Sequence, residues 1–205
     1  MGQDMKLSRV GLLVGIVIMF ACAFTGSVSA KSGFKGSPDV GDRFVDIHTF
    51  LFKIAARNNW SLIVSSEVNS PVREVVGTTV EEALNNYLET TRFRWRLYEK
   101  CLYVAHETDL ELFFRRLAEL ELTMPRGQAI AGFSGNFVRI DLEMLCNMLK
   151  SISGVEIRPA SNLHHSVMMR AADMSWQRIL LAVVYLNRFR MDRTDYSITI
   201  FPAGS

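Results

Sequence analysis

The stretch RFRW at residues 92–95 returns as RFRM at residues 188–191, and the likeness extends well beyond four letters. Set DIHTFLFKIAARNNWSLIV, from Asp46, over DLEMLCNMLKSISGVEIRP, from Asp141. Ile47, Phe50, Leu51, Ile54, Trp60 and Leu62 then fall on Leu142, Leu145, Cys146, Leu149, Val155 and Ile157 without a gap. One inserted residue later, Ala83, Leu84, Leu88, Phe93, Trp95, Leu102 and Val104 fall on Ile179, Leu180, Val184, Phe189, Met191, Ile198 and Ile200. A period of 95–96 residues restricts the fold more than any local pattern, because both copies must use the same elements in the same order. Duplication of one module accounts for it most simply. The competing reading is two small α+β domains that merely share a pattern.

Within the first copy, Ile47, Phe50, Leu51 and Ile54 keep the i, i+3, i+4, i+7 spacing of a helix with one apolar face, stopped at Asn58-Asn59. Trp60 to Val64 and Val72 to Val76 read as short strands, broken by Gly77. Thr78 or Thr79 ahead of Glu81 or Glu82 forms a capping box for a second helix. Phe93–Leu97 and Cys101–Ala105 alternate as a hairpin, with Arg92, Arg94 and Arg96 on its wet face and Trp95 at an apolar position. Between the copies, Glu107 to Leu122 is an amphipathic helix with Leu110, Phe113, Phe114 and Leu117 as its stripe and Thr108 with Glu111 as its box. The expected organisation is a signal peptide over 1–30, a flexible lead-in over 31–43, a first module over 44–106, the helix over 107–124, a Gly-rich linker over 125–136 and a second module over 137–202. The fold class is therefore α+β: two tandem small modules, each with two helices packed on short mixed β-sheets.

Lys6 and Arg9 precede the uncharged run from Val10 to Phe24, and Val28 and Ala30 supply small residues before a cut at Ala30/Lys31. That is the layout of a secretory signal, and its apolar run is shorter than the roughly 20 residues a spanning helix needs. An uncleaved anchor is the alternative, and a lipoprotein signal at Cys22 is the weaker one. Either way the remainder is expected in the periplasm, with membrane contact only through the N-terminal segment. The chain carries 23 basic and 21 acidic residues, and losing Lys6, Arg9 and Asp4 leaves it close to neutral, so no nucleic-acid partner is implied. Cys101 and Cys146 are the candidate disulfide pair in an oxidising compartment, with two buried free thiols as the alternative.

Chemistry-bearing patterns are sparse. His48, His106, His164 and His165 have no Ser or Cys at a spacing that suggests a nucleophile and its base, and read as solvated helix and turn residues. Adjacent His164 and His165 would point in opposite directions, and Cys101 with His106 straddles a strand end, so no metal site is expected. GFSGN lacks the Lys and the strand-to-helix setting of a phosphate loop. No cofactor and no catalytic residue are expected; the chain reads as a non-enzyme.

The segments DIHTFLFKIAARNNWSLIVSSEV, VVGTTVEEALNNYLETTRFRW and LYVA resemble the short N-terminal domain shared by secretins and TonB-dependent receptors. LYVAHETDLELFFRRL is similar to the N-terminal region of type III secretion secretins, and the second copy resembles the same family more loosely. The resemblance implies a small α+β module that forms periplasmic rings or docks envelope partners. No long run of amphipathic strands follows the second module, so the chain is not expected to be the pore itself. The implied role is a non-enzymatic accessory or docking subunit of a secretion or pilus system, whose partners are a secretin or an inner-membrane ring component, with a homo-oligomer as a further option. A TonB-type signalling module and a small envelope thiol enzyme or hydrolase are the alternatives. Docking would use strand edges, which leave amides and carbonyls unpaired. The candidates are Val72, Val75 and Val76 in the first copy and Val167 and Met169 in the second, with interior strands at both places as the equally weighted alternative.

Overall fold

A computed structural model describes residues 44–123, 132–194 and 196–203. The signal peptide expected over 1–30 and the lead-in expected over 31–43 lie outside the described residues. The order is β1 (Phe44–Val45), α1 (Ile47–Arg57), β2 (Ser61–Val64), β3 (Arg73–Glu74), α2 (Val80–Leu88), β4 (Phe93–Tyr98), β5 (Cys101–His106) and α3 (Glu107–Thr123). Then come β6 (Gly132–Asp141), α4 (Leu142–Ser153), β7 (Glu156–Pro159), β8 (Ser166–Ser175), α5 (Trp176–Leu186), β9 (Phe189–Arg193) and β10 (Ser197–Pro202). This is an α+β fold, and β-α-β-β-α-β-β runs twice.

Local chemistry sets the same boundaries in both halves. Asp46 Oδ1 accepts from the N–H groups of His48 and Thr49 to start α1, and Asp141 Oδ1 accepts from Glu143 and Met144 to start α4. Thr79 caps α2 and Ser175 caps α5 through their hydroxyls. The box at α2 is reciprocal in a shifted form, with the Glu82 carboxylate accepting from the N–H and hydroxyl of Thr78. At α3 the expected box is replaced by direct continuation, since the helix begins at Glu107 without a break from β5 and Thr108 lies inside its first turn.

The strand registers coincide as well. β2 runs parallel to β5 with Leu62 opposite Leu102, and β7 runs parallel to β10 with Ile157 opposite Ile198. In the antiparallel hairpins Trp95 faces Val104 and Met191 faces Ile200. The first hairpin turns on Glu99 and Lys100, both with positive φ, as a two-residue turn of matching twist requires. Arg92 and Arg188, which open the two RFR segments, both approach the carboxylate of Glu67 at 3.6 Å.

The halves are nevertheless not separate modules on separate sheets. β2 also pairs antiparallel with β8, so one sheet runs β4-β5-β2-β8-β6, beside a three-stranded sheet β7-β10-β9 and the small ribbon β1-β3. The reason is legible in β2: Ser61, Leu62, Ile63 and Val64 are all buried, which demands neighbours on both edges and cover on both faces. On one face Leu62, Val64, Leu102 and Val104 meet Phe50, Leu51, Ile54, Leu84 and Tyr87 of α1 and α2. On the other face Ile63, Cys101, Tyr103 and Ala105 join Leu110, Phe113 and Leu117 of α3 and the apolar residues of α5. α3 thus packs on β4 and β5 from the first half and on α5 from the second.

Two boundaries move accordingly. Gly132–Asn136, expected in the linker, belongs to β6 and pairs with β8, and the strand expected over Val72–Val76 contracts to Arg73–Glu74. Because one sheet joins the halves, truncating Ile63, fully buried toward α3 and α5, should reach the whole unit. Ile63→Ala is expected to lower stability by about 2–5 kcal/mol and to shift a single unfolding transition in a denaturant titration; two separated transitions would contradict the shared core.

Candidate interaction site

The second-copy edge expected at Val167 and Met169 does not exist as an edge. β8 lies between β2 and β6, hydrogen-bonded on both sides, and both side chains are wholly buried. A strand whose two edges are occupied offers nothing to a partner. Its amides are already used by this chain.

The first-copy candidates stand differently. β3 pairs with β1 alone among the described residues, Glu74 facing Phe44 and Arg73 facing Val45. Val72 is 62% exposed, Val76 54% and Phe44 61%, whereas Val75 is partly buried against the α1/α2 core. Phe44 opens β1, and Val72 and Val76 lie close on either side of β3, so three exposed apolar side chains belong to one short ribbon and its flanks.

The ribbon is held firmly from beneath. The Tyr87 hydroxyl donates to Val45 O at 2.5 Å, and its buried ring stacks on Phe50 with centroids 4.6 Å apart. Burial, with the charge of Asp46 next, pushes the Tyr87 phenol above its ordinary value, so it remains a donor at neutral pH. Asn86 Nδ2 donates to Val76 O at 2.9 Å, and the Arg73 guanidinium donates to the Thr90 hydroxyl. Gly77, at φ +154°, lets the chain cross the first turn of α2; a Cβ there would lie 2.6 Å from Ala83 N.

The histidines expected to be solvated mostly have partners. His48 Nε2 donates to Val68 O at 2.9 Å, and His106 Nε2 meets Glu67 at 3.0 Å. The His165 ring stands edge-on to Phe189, and burial lowers its pKa against the opposing hydrogen bond to Asn187. His164 is exposed. The sequence does not reveal that His48, His164 and His165 line one cleft of about 690 Å³ with Ser65, Ser66, Arg139 and Asp141. That grouping depends on the β2–β8 pairing, which joins segments roughly a hundred residues apart. Among the described residues no three His, Cys, Asp or Glu side chains converge as metal ligands would.

Cys101 and Cys146 are both free and buried, which corrects the candidate disulfide. They share a core, where unpaired thiols pack as small apolar groups. Burial, ahead of every other influence, pushes each thiol up to about 12. The thiolate fraction at neutral pH is then about a thousandfold or more below that of an ordinary cysteine, so neither is poised as a nucleophile. Alkylation at neutral pH followed by site-resolved mass spectrometry should leave both unmodified in the native protein and modified after denaturation. Native labelling at the rate of a free thiol would contradict this burial.

No helix of the described residues is long and apolar enough to cross a membrane. No protein-family model matches this chain, and no curated protein sequence matches it.

Proposed function

We propose that this chain is a non-enzymatic periplasmic docking subunit of a bacterial protein secretion or pilus system, acting beside a secretin or an inner-membrane ring component. The resemblance of the first half to secretin N-terminal domains suggests the setting, and the signal-like segment before Lys31 suggests the compartment. The observation that carries the reading is the β1–β3 ribbon, pinned by Tyr87 and Asn86 yet presenting Val72 and Val76 to solvent. Exposed apolar side chains on a fixed backbone support docking, because a partner that covers them removes apolar surface from water without having to order the segment first.

The two described thiols lend no support to the thiol-enzyme alternative, since burial keeps both protonated. The test is brief crosslinking in intact cells, recovery of the tagged chain from gently solubilised envelopes, and identification of the bound proteins. A secretin or inner-membrane ring component is expected. Val72→Asp with Val76→Asp, both at exposed positions, should leave folding intact and reduce that recovery by about tenfold, equivalent to about 1.4 kcal/mol. Recovery of neither component from cells that express the machine would overturn the proposal.

A further inference from the structure

At one end of the β2–β8 pairing a histidine ring is built into the joint between the halves. The His165 ring stands edge-on to Phe189, with centroids 4.9 Å apart, and meets the side chain of Asn187. Its Nε2 is buried and has no hydrogen-bond partner. Asn187, itself buried, serves both halves: its Oδ1 accepts from the Ser66 N–H at 2.8 Å and its Nδ2 donates to Val183 O at 2.8 Å. The backbone beneath the ring belongs to the same joint, since His165 O accepts from the Leu142 N–H at 2.8 Å and β8 begins at the next residue.

Such a ring is suited to one protonation state. Neutral imidazole has one donor and one acceptor nitrogen, so its unpaired Nε2 need be no more than a lone pair without a donor. In the cation both nitrogens donate, and Nε2–H would bring part of a full charge to a place that no acceptor reaches. Among the described residues lining the adjoining cleft, Asp141 is the one carboxylate, and its Oδ1 already caps α4. The other titratable or charged groups of that cleft, His48 from α1, His164 beside the ring and Arg139 from β6, are basic. Beyond Ser66, Glu67 is met by His106, Arg92 and Arg188, and Arg188, next to Asn187, binds Asp109. Burial therefore holds the His165 pKa below its ordinary value, with Asn187 pulling the other way.

We propose that His165 is an acid-operated latch between the two halves: protonation drives its ring off Phe189 and Asn187, and the Ser66 end of β2 then separates from the end of α5. Without the ring against it, Asn187 loses the contact that fixes its amide toward Ser66. A ring that binds its proton more weakly in the closed joint than in the open one holds the joint shut above the ordinary histidine range. It releases the joint as pH falls through that range, near 6.5. Opening here bares the buried Val167, while the pairs from Val64 with Met168 to Leu62 with Arg170 keep the sheet joined. The inference does not depend on the docking reading.

Native-state hydrogen exchange of the Ser66 amide in the full chain, corrected for intrinsic exchange, reads the latch. Between about pH 7.5 and 5.5 its protection is expected to fall several-fold, toward a limit of about tenfold set by an ordinary histidine in the open form. At the acid end Ser66 should exchange at a lower free energy than Leu62, as opening confined to this end requires. His165→Gln does not titrate in this range and should make Ser66 protection independent of pH; His165→Asn serves the same purpose if the glutamine variant does not fold. The ring itself, followed by NMR in the wild-type chain, should titrate below the ordinary histidine value, a readout that needs no variant. Titration at or above that value would overturn the proposal. So would Ser66 protection indifferent to acid, Ser66 and Leu62 sharing one free energy at the acid end, or an acid response that persists in a folded His165 variant and so belongs to His48, His106 or His164.

Discussion

The antiparallel pairing of β2 with β8 is the contact on which the remaining structure depends. It turns two short sheets into one five-stranded sheet and gives β2 neighbours on both edges. It also creates two opposed cores: Leu62 and Val64 face α1 and α2, while Ile63 faces α3 and α5. α5 in turn lies so deep that Ile179 to Val184 are all buried, an all-round apolar helix rather than an amphipathic one. Polar groups reinforce the same junction. Arg170 Nε donates to Trp60 O, the Ala172 N–H to Ser61 Oγ, and the Ser66 N–H to Asn187 Oδ1.

At one end of this junction the charges are arranged to hold the halves in register. Glu67, just beyond β2, is met by His106, Arg92 and Arg188, and Arg188 also donates to the largely buried carboxylate of Asp109 at 2.9 Å. Most of these groups are partly exposed, so each pair contributes little by itself. Asp109 differs, because removing Arg188 would leave a sheltered carboxylate without its partner. Related segments thus acquire distinct duties: Arg92 serves its own half, and Arg188 ties the second half to the first.

Much of this order was readable before any coordinates. The apolar positions of α1 and α4, the alternation around RFRW and RFRM, and the Thr78/Thr79 box before α2 are local signals whose physics depends little on context, and they located most elements of both halves; the box expected at Thr108 did not form because β5 runs straight into α3. Even the offset between copies carries into the hydrogen-bond registers, Leu62 with Leu102 and Ile157 with Ile198. What local signals do not encode is partner choice between distant strands. Val167 and Met169 have the composition of an edge and of an interior strand alike, and only the demand of the fully buried β2 decides between them. The cleft holding His48, His164 and His165 was hidden for the same reason.

Native-state hydrogen exchange at the amides of Leu62, Val64, Met168 and Arg170 tests the shared sheet most directly. If β2 and β8 form the central seam of one cooperative unit, these amides should exchange only through global unfolding, with the same free energy as the most protected amides of β5. Exchange of Leu62 and Val64 at the rate of solvent-facing edge amides, while β5 stays protected, would show two halves that fold side by side without sharing a sheet, and would contradict the account.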